Sequence, residues 1–203
     1  LCGFCPTDYA HAETSLGVFA TPEANLPVGT KADNYKTGLG GRIEGLFGFT
    51  GGRLLPNWLT PVIDTGYAFI PLELGEDGFT SSANLSLLRG GLGLKASLSA
   101  GERLSFFTRA HASGYYASLG GDISGTASGL AWGTGGGVSF LLSSATQLEL
   151  AAGYDSYADL YDGLSLSLGT TVRISGPGNN SIPRADFSAG AGGGHLDGYI
   201  RFS

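Results

Sequence analysis

Ten ionisable side chains spread through the middle of the chain are the residues best equipped for chemistry: Arg42, Glu44, Asp64, Arg89, Lys95, Arg109, His111, Glu149, Asp155 and Arg173. Their types allow three readings. Hydrolysis needs a histidine, a serine and an acidic partner converging on an accessible bond. A file of charges through a low-dielectric medium conducts ions. Opposite charges held against one another form a packed network of ion pairs, whose role is structural. Acids and bases nearly balance in this set, which favours the network. Neither a metal-ligand cluster nor a nucleotide motif accompanies it, so neither metal nor cofactor is expected. The glycine runs Gly135 to Gly137 and Gly192 to Gly194 lack the strand, helix and acidic context of a dinucleotide site.

The elements that position these groups must be strands. The chain holds 36 glycines, far more than helices tolerate, and its residues are 42% hydrophobic and only 14% charged. Nowhere do 18 apolar residues run together, which excludes a spanning helix. A net charge of −6, with eleven Lys and Arg that form no basic patch, argues against nucleic acid or an anionic surface as partner.

Alternation carries the assignment. From Leu88 every second residue is Leu88, Gly90, Leu92, Leu94, Ala96 and Leu98, against Arg89, Gly91, Gly93, Lys95 and Ser97. Leu104, Phe106, Thr108, Ala110, Ala112, Gly114 and Tyr116 oppose Phe107, Arg109, His111 and Ser113. Leu130, Trp132, Thr134, Gly136, Val138, Phe140 and Leu142 form the next apolar file. Leu148, Leu150, Ala152 and Tyr154 follow against Glu149 and Asp155. Leu164, Leu166, Leu168, Thr170, Val172 and Ile174 close the series against Arg173. Earlier, Tyr35 to Phe47 and Leu59 to Phe69 show the same period, and Leu16 to Thr21 opens the set. Eight strands result, several about 10 residues or more in length, enough for a tilted strand to cross a bilayer.

A soluble sandwich alternates too, with its apolar face inward. Three features favour the reverse orientation. The non-apolar face is mostly Gly, Ser and Ala with isolated charges, as a narrow interior requires. Aromatic residues lie near the ends of the apolar files: Tyr35, Phe47, Phe106, Tyr116, Trp132, Phe140 and Tyr154. Connections alternate in length, long at 22–34, 75–84 and 118–128 and short at 99–103 and 143–146. The expectation is an all-β, eight-stranded antiparallel up-and-down transmembrane barrel over 13–175. Leu92, Leu94, Phe106, Trp132, Val138, Phe140, Leu148, Leu150, Leu166, Leu168 and Val172 would face lipid, and the ten ionisable residues would fill a polar lumen. Strand one must then pair with strand eight, because an open edge in hydrocarbon leaves backbone groups unsatisfied.

Two flanking segments read differently. Ala10-His11-Ala12 resembles a signal-peptidase site, so 1–12 is expected to be the end of a secretory signal that carries away Cys2 and Cys5. Gly176-Pro177-Gly178 breaks the last strand, and 176–203 reads as a periplasmic linker, or the start of a further domain.

Leu26-Pro27-Val28-Gly29 followed by Tyr35-Lys36-Thr37-Gly38-Leu39-Gly40 is similar to the first hairpin of small outer-membrane barrel domains of the OmpA/OmpX type, which the chain resembles from Leu16 to about Ile174. The last strand, Ser167-Leu168-Gly169-Thr170-Thr171-Val172-Arg173-Ile174, is similar to the signal read by barrel-assembly machinery, with Ser167, Gly169, Val172 and Ile174 as its marks, although it lacks a terminal aromatic. The resemblance implies an outer-membrane location, both termini periplasmic, contact with outer-membrane lipid, and a structural, anchoring or surface-interaction role with ligands at the three long loops. Two alternatives stay open: a narrow pore or gated ion path, and a lipid-modifying barrel enzyme. Against the enzyme, His111 is the only histidine in the predicted barrel and points inward, away from lipid.

Overall fold

Period-two alternation resolves into eight strands in a computed structural model: β1 (Glu13–Pro27), β2 (Gly38–Thr50), β3 (Leu59–Glu76), β4 (Phe79–Ser99), β5 (Leu104–Gly121), β6 (Gly125–Leu141), β7 (Thr146–Tyr157) and β8 (Tyr161–Ser175). The residues described are 13–29, 32–50, 55–56, 58–76, 79–122, 124–158 and 160–175. The expected signal end at 1–12 and linker at 176–203 lie outside them. Each strand pairs antiparallel with the next, and β1 pairs with β8, so the sheet closes into an up-and-down barrel.

Register sets the barrel's shape. From Gly17 the pairing runs through Leu46, Val62, Gly93, His111, Gly133, Asp155 and Gly163 and returns to β1 at Pro27, ten residues beyond its start. A shear of ten on eight strands tilts them by about 40° and leaves a lumen only wide enough for side chains. Outward faces carry the apolar files: Leu39, Ile43, Ile63, Leu92, Leu130, Leu150 and Leu168 are all more than half exposed. Outward aromatics form two rings, Phe47, Trp58, Phe106 and Phe140 below and Tyr67, Phe69, Tyr116, Trp132 and Tyr154 above. For a rise of about 3.3 Å per residue and that tilt, the rings stand roughly 20 Å apart along the axis.

Several expectations are corrected. The segments 75–84 and 118–128 are not long loops: β3 and β4 pair continuously up to Glu76↔Phe79, and β5 and β6 up to Leu119↔Gly125. Their Ser, Gly and Thr content reads as loop, yet pairing with neighbouring strands satisfies the backbone as a loop cannot. The segment 22–34 is half strand, because β1 runs to Pro27; the true connection is 28–37, with a 3-10 turn at Ala32–Asn34. Connections therefore do not alternate long and short.

Tyr35 is no girdle residue. It bridges to Leu72, packs edge-on against Tyr161 with ring centroids 5.4 Å apart, and donates its hydroxyl to the Leu160 carbonyl at 2.9 Å, roofing the upper end. Finally, the lumen is not polar throughout. Its upper part is an apolar cluster of Ala68, Ile70, Leu72, Ala83, Leu85, Leu87, Tyr115, Ala117, Ala131, Tyr157 and Tyr161, and a smaller one of Phe19, Leu46 and Val62 lies near the other end.

Candidate functional site in the barrel lumen

Between the two apolar clusters, inward positions of neighbouring strands bring most of the predicted charges together. Arg42 and Glu44 project from β2, Asp64 from β3, Arg89 from β4, Arg109 and His111 from β5 and Asp155 from β7, and all but the slightly more open His111 are more than nine-tenths buried. Arg89 is the hub. Its Nη1 donates to Asp155 Oδ1 at 2.7 Å and to the Tyr157 hydroxyl at 3.1 Å, while Asp64 and Glu23 each lie 3.7 Å away. Arg42 Nε lies 2.8 Å from Glu44 Oε1 and its Nη2 2.9 Å from Glu23 Oε1, and Arg109 Nη1 donates to Glu44 Oε1 at 3.1 Å. Charges removed from water this thoroughly persist only where partners surround them.

His111 Nε2 stands 3.1 Å from Asp155 Oδ1 and 3.5 Å from Arg89 Nη1. The shorter contact to an acceptor makes Nε2 the proton-bearing nitrogen. Among the described residues no serine hydroxyl bonds to that ring. Nor do three or more His, Cys, Asp or Glu side chains gather as a metal site among them.

Lys95 and Glu149 form a separate pair. Nζ donates to both carboxylate oxygens, at 2.6 and 2.7 Å, and the Thr171 hydroxyl donates to Oε1 at 2.7 Å. The ammonium also sits 4.3 Å from the centre of the Phe107 ring, a favourable cation–π placement. Arg173, expected from the sequence to join the network, stands instead at the lower mouth and forms no ion pair among the described residues. A blind cavity of about 120 Å³ opens there, floored by Lys95 and Glu149.

Sequence reasoning misses Glu23. It pairs with both Arg42 and Arg89 and is buried. The alternation Phe19, Thr21, Glu23, Asn25 is visible in the sequence, but Pro22 suggests a strand end. The missing proline N–H is accommodated by a gap in the ladder: β1 pairs with β8 at Ala20↔Thr170 and again at Glu23↔Ser167.

Of the residues expected to face lipid, Leu92, Leu94, Phe106, Trp132, Phe140, Leu150, Leu166, Leu168 and Val172 point outward and are exposed, and Val138 and Leu148 are outward and half-buried. In the last strand Ser167 and Gly169 point inward and Val172 and Ile174 outward. A side chain at Gly169 would strike Thr21, Phe19 and the Ala20 carbonyl, so glycine is required there by space alone.

No protein-family model matches the chain, and no curated protein is similar to it in sequence. Solved structures are similar in fold. Neisserial surface protein A superposes with a TM-score of 0.56 at 15% identity, covering 79% of this chain and 97% of that one. A major outer membrane protein from Thermus thermophilus gives 0.54 at 14% identity over 79% and 99%. The attachment invasion locus protein Ail of Yersinia pestis gives 0.49 at 15% over 80% and 99%. The fold is that of the small eight-stranded outer-membrane barrels.

Proposed function

We propose that this chain is an integral barrel of the outer membrane with a structural, anchoring or surface-interaction role, its termini in the periplasm. The observation that carries this reading is the outer surface. Between the two aromatic rings every described charged side chain lies inside the barrel, and the outward face is Leu, Ile, Val, Ala, Gly, Thr, Pro and aromatic. An apolar belt roughly 20 Å tall on a closed sheet suits a hydrocarbon core and is a liability in water. Outer-membrane lipid is then the principal partner, and the marks Ser167, Gly169, Val172 and Ile174 would be read by barrel-assembly machinery.

Surface interaction is supported by the upper rim. The β2–β3 ladder ends at Leu39↔Phe69 and the β6–β7 ladder at Trp132↔Ser156, so β3, β4, β5 and β6 rise beyond their neighbours as a sheet. Its β6 edge, Gly125 to Ala131, has no partner on the β7 side among the described residues and carries no charge. Such an edge is a template for an extended segment of another protein. The upper apolar cluster argues against a pore and the placement of His111 against an enzyme.

Orientation is tested with Cys2 and Cys5 replaced by serine. A membrane-impermeant maleimide on intact cells should label Ser128→Cys and spare Ser144→Cys. The opposite pattern would reverse the topology, and labelling of both in a soluble fraction would end the membrane reading. Purified protein in planar bilayers should show no steady conductance.

A further inference from the structure

The lower cavity has a charge balance that the barrel's architecture does not require. Its floor is neutral, because both Glu149 oxygens are taken by Lys95 and one also by Thr171. Hydroxyls of Ser15, Thr60, Ser97, Ser99, Ser105 and Thr146 line it beside Gln147, interleaved with Leu16, Leu46, Leu141 and Ala145. Thr146 opens β7, and its backbone N–H donates to the Ser143 hydroxyl in the turn before it. Two arginines complete the lining, Arg103 exposed and Arg173 half-buried. Arg103, in the β4–β5 turn, is tied to the base of β6 by its carbonyl, which accepts from the Leu141 N–H at 2.8 Å. Arg173, on β8, donates its backbone N–H to the Ala145 carbonyl at 2.9 Å. The two therefore flank the same turn, 142–145. Neither makes an ion pair or side-chain hydrogen bond among the described residues, and Glu102, beside Arg103 in the sequence, does not line the cavity.

We propose that this mouth is a binding site for a tetrahedral oxyanion, a phosphate group held between Arg103 and Arg173 with hydroxyl donors from the wall. Guanidinium forks match the oxygens of such an anion, and hydroxyls donate to it without adding charge. The cavity has room for the group and several waters. A wholly apolar ligand would strip water from both arginines and from the hydroxyls without replacing it. A cation is disfavoured because Glu149, the only carboxylate among the described residues that line the cavity, is already saturated. The phosphate is either free or the headgroup of an anionic phospholipid in the leaflet next to this end. The site goes beyond the anchoring role and survives if the surface-interaction reading fails.

The test is an NMR titration of the full chain folded in a neutral maltoside detergent, with sodium phosphate against sodium chloride at equal ionic strength. Phosphate should give saturable shifts at Arg103, Thr146, Thr171 and Arg173, and none at Tyr35 or Leu160 at the far end. Arg103→Gln with Arg173→Gln should weaken binding about tenfold or more, since each removes a charged hydrogen-bond donor; Arg173→Lys should retain part of it. In phosphate-free nanodiscs, the same resonances moving when phosphatidylglycerol replaces phosphatidylcholine would identify the lipid as the source. Response only to added inorganic phosphate would identify the free ion. Equal response to chloride, or unweakened binding in the double variant, would overturn the site. If that variant does not fold, the comparison of phosphate with chloride on the unaltered chain decides alone.

Discussion

Replacing Lys95 by methionine leaves the Glu149 carboxylate in a lumen where both side chains are more than nine-tenths buried. A buried charge deprived of its partner costs about 3–5 kcal/mol. The Thr171 hydroxyl remains as a donor and returns about 1 kcal/mol, so Lys95→Met is expected to cost about 2–4 kcal/mol. Glu149→Leu should cost less, because the ammonium it strands still faces the Phe107 ring at 4.3 Å, a contact worth about 0.5–2 kcal/mol when desolvated. Removing both charges, Lys95→Met with Glu149→Leu, should be close to neutral, since an apolar pair of similar volume replaces an ion pair without loss. Reversible urea unfolding from lipid vesicles, followed by tryptophan fluorescence, gives all four corners of the cycle. A coupling energy below about 1 kcal/mol, the range of exposed pairs, would mean that water reaches the pair from the cavity beneath it. Such a result would refute a lumen sealed at this level.

Depth on the outer face supplies a second prediction. Leu92→Arg, between the aromatic rings, should destabilise the barrel in bilayers by about 2–4 kcal/mol and Leu142→Arg, in the lower turn, by about 0–1 kcal/mol, as read by the same unfolding assay. Gly137→Ala places a methyl against the Leu150 carbonyl and Ala151, whereas Gly114→Ala meets nothing within 4 Å; overpacking should make the first cost about 1–3 kcal/mol and the second almost nothing. Burial raises the pKa of the Tyr35 hydroxyl above its ordinary value. The fold thus holds that proton more tightly than the unfolded chain, and its contribution is complete below the ordinary tyrosine range and fades as pH rises through it. Hydrogen exchange at Leu160 should quicken in alkali by more than the base-catalysed increase of a free amide, and Tyr35→Phe should abolish that excess.

How far the sequence reveals this molecule depends on whether the two faces of a strand differ. Where they do, as from Leu92 to Leu98 or Leu164 to Ile174, period two places every side chain correctly. In the upper lumen they do not: Leu87 points inward and Leu88 outward, Ile70 inward and Phe69 outward. With both neighbours apolar the alternation vanishes and the strand reads as beginning or ending too soon. That is why the sequence opens β4 at Leu88 although the strand starts at Phe79. The charges on β2 to β7 are legible because each interrupts a run of small residues; which acid meets which base is not, since pairing across the lumen depends on the shear of the whole barrel. Glu149 finds Lys95, three strands away, rather than a base on an adjoining strand.

The glycines explain how such a narrow lumen holds so many long side chains. A cylinder of eight strands cannot take a large residue at every inward position, so each large one needs an empty place on the wall opposite or beside it. The structure pairs them this way. A methyl at Gly133 would collide with the His111 ring and Asp155, one at Gly66 would press on Arg89, and one at Gly129 on the Tyr115 ring. Gly163 makes room for Tyr161, and Gly169 for Phe19. Glycine is a poor strand former, and inside a water-soluble sheet its abundance would weaken the ladder. Here closure secures the ladder, because no strand within the belt has a free edge to fray. The lost propensity is offset by ion pairs and aromatic contacts that a bulkier wall would exclude. The glycines and the charges are therefore one adaptation: the same narrowness that demands the first forces the second into contact.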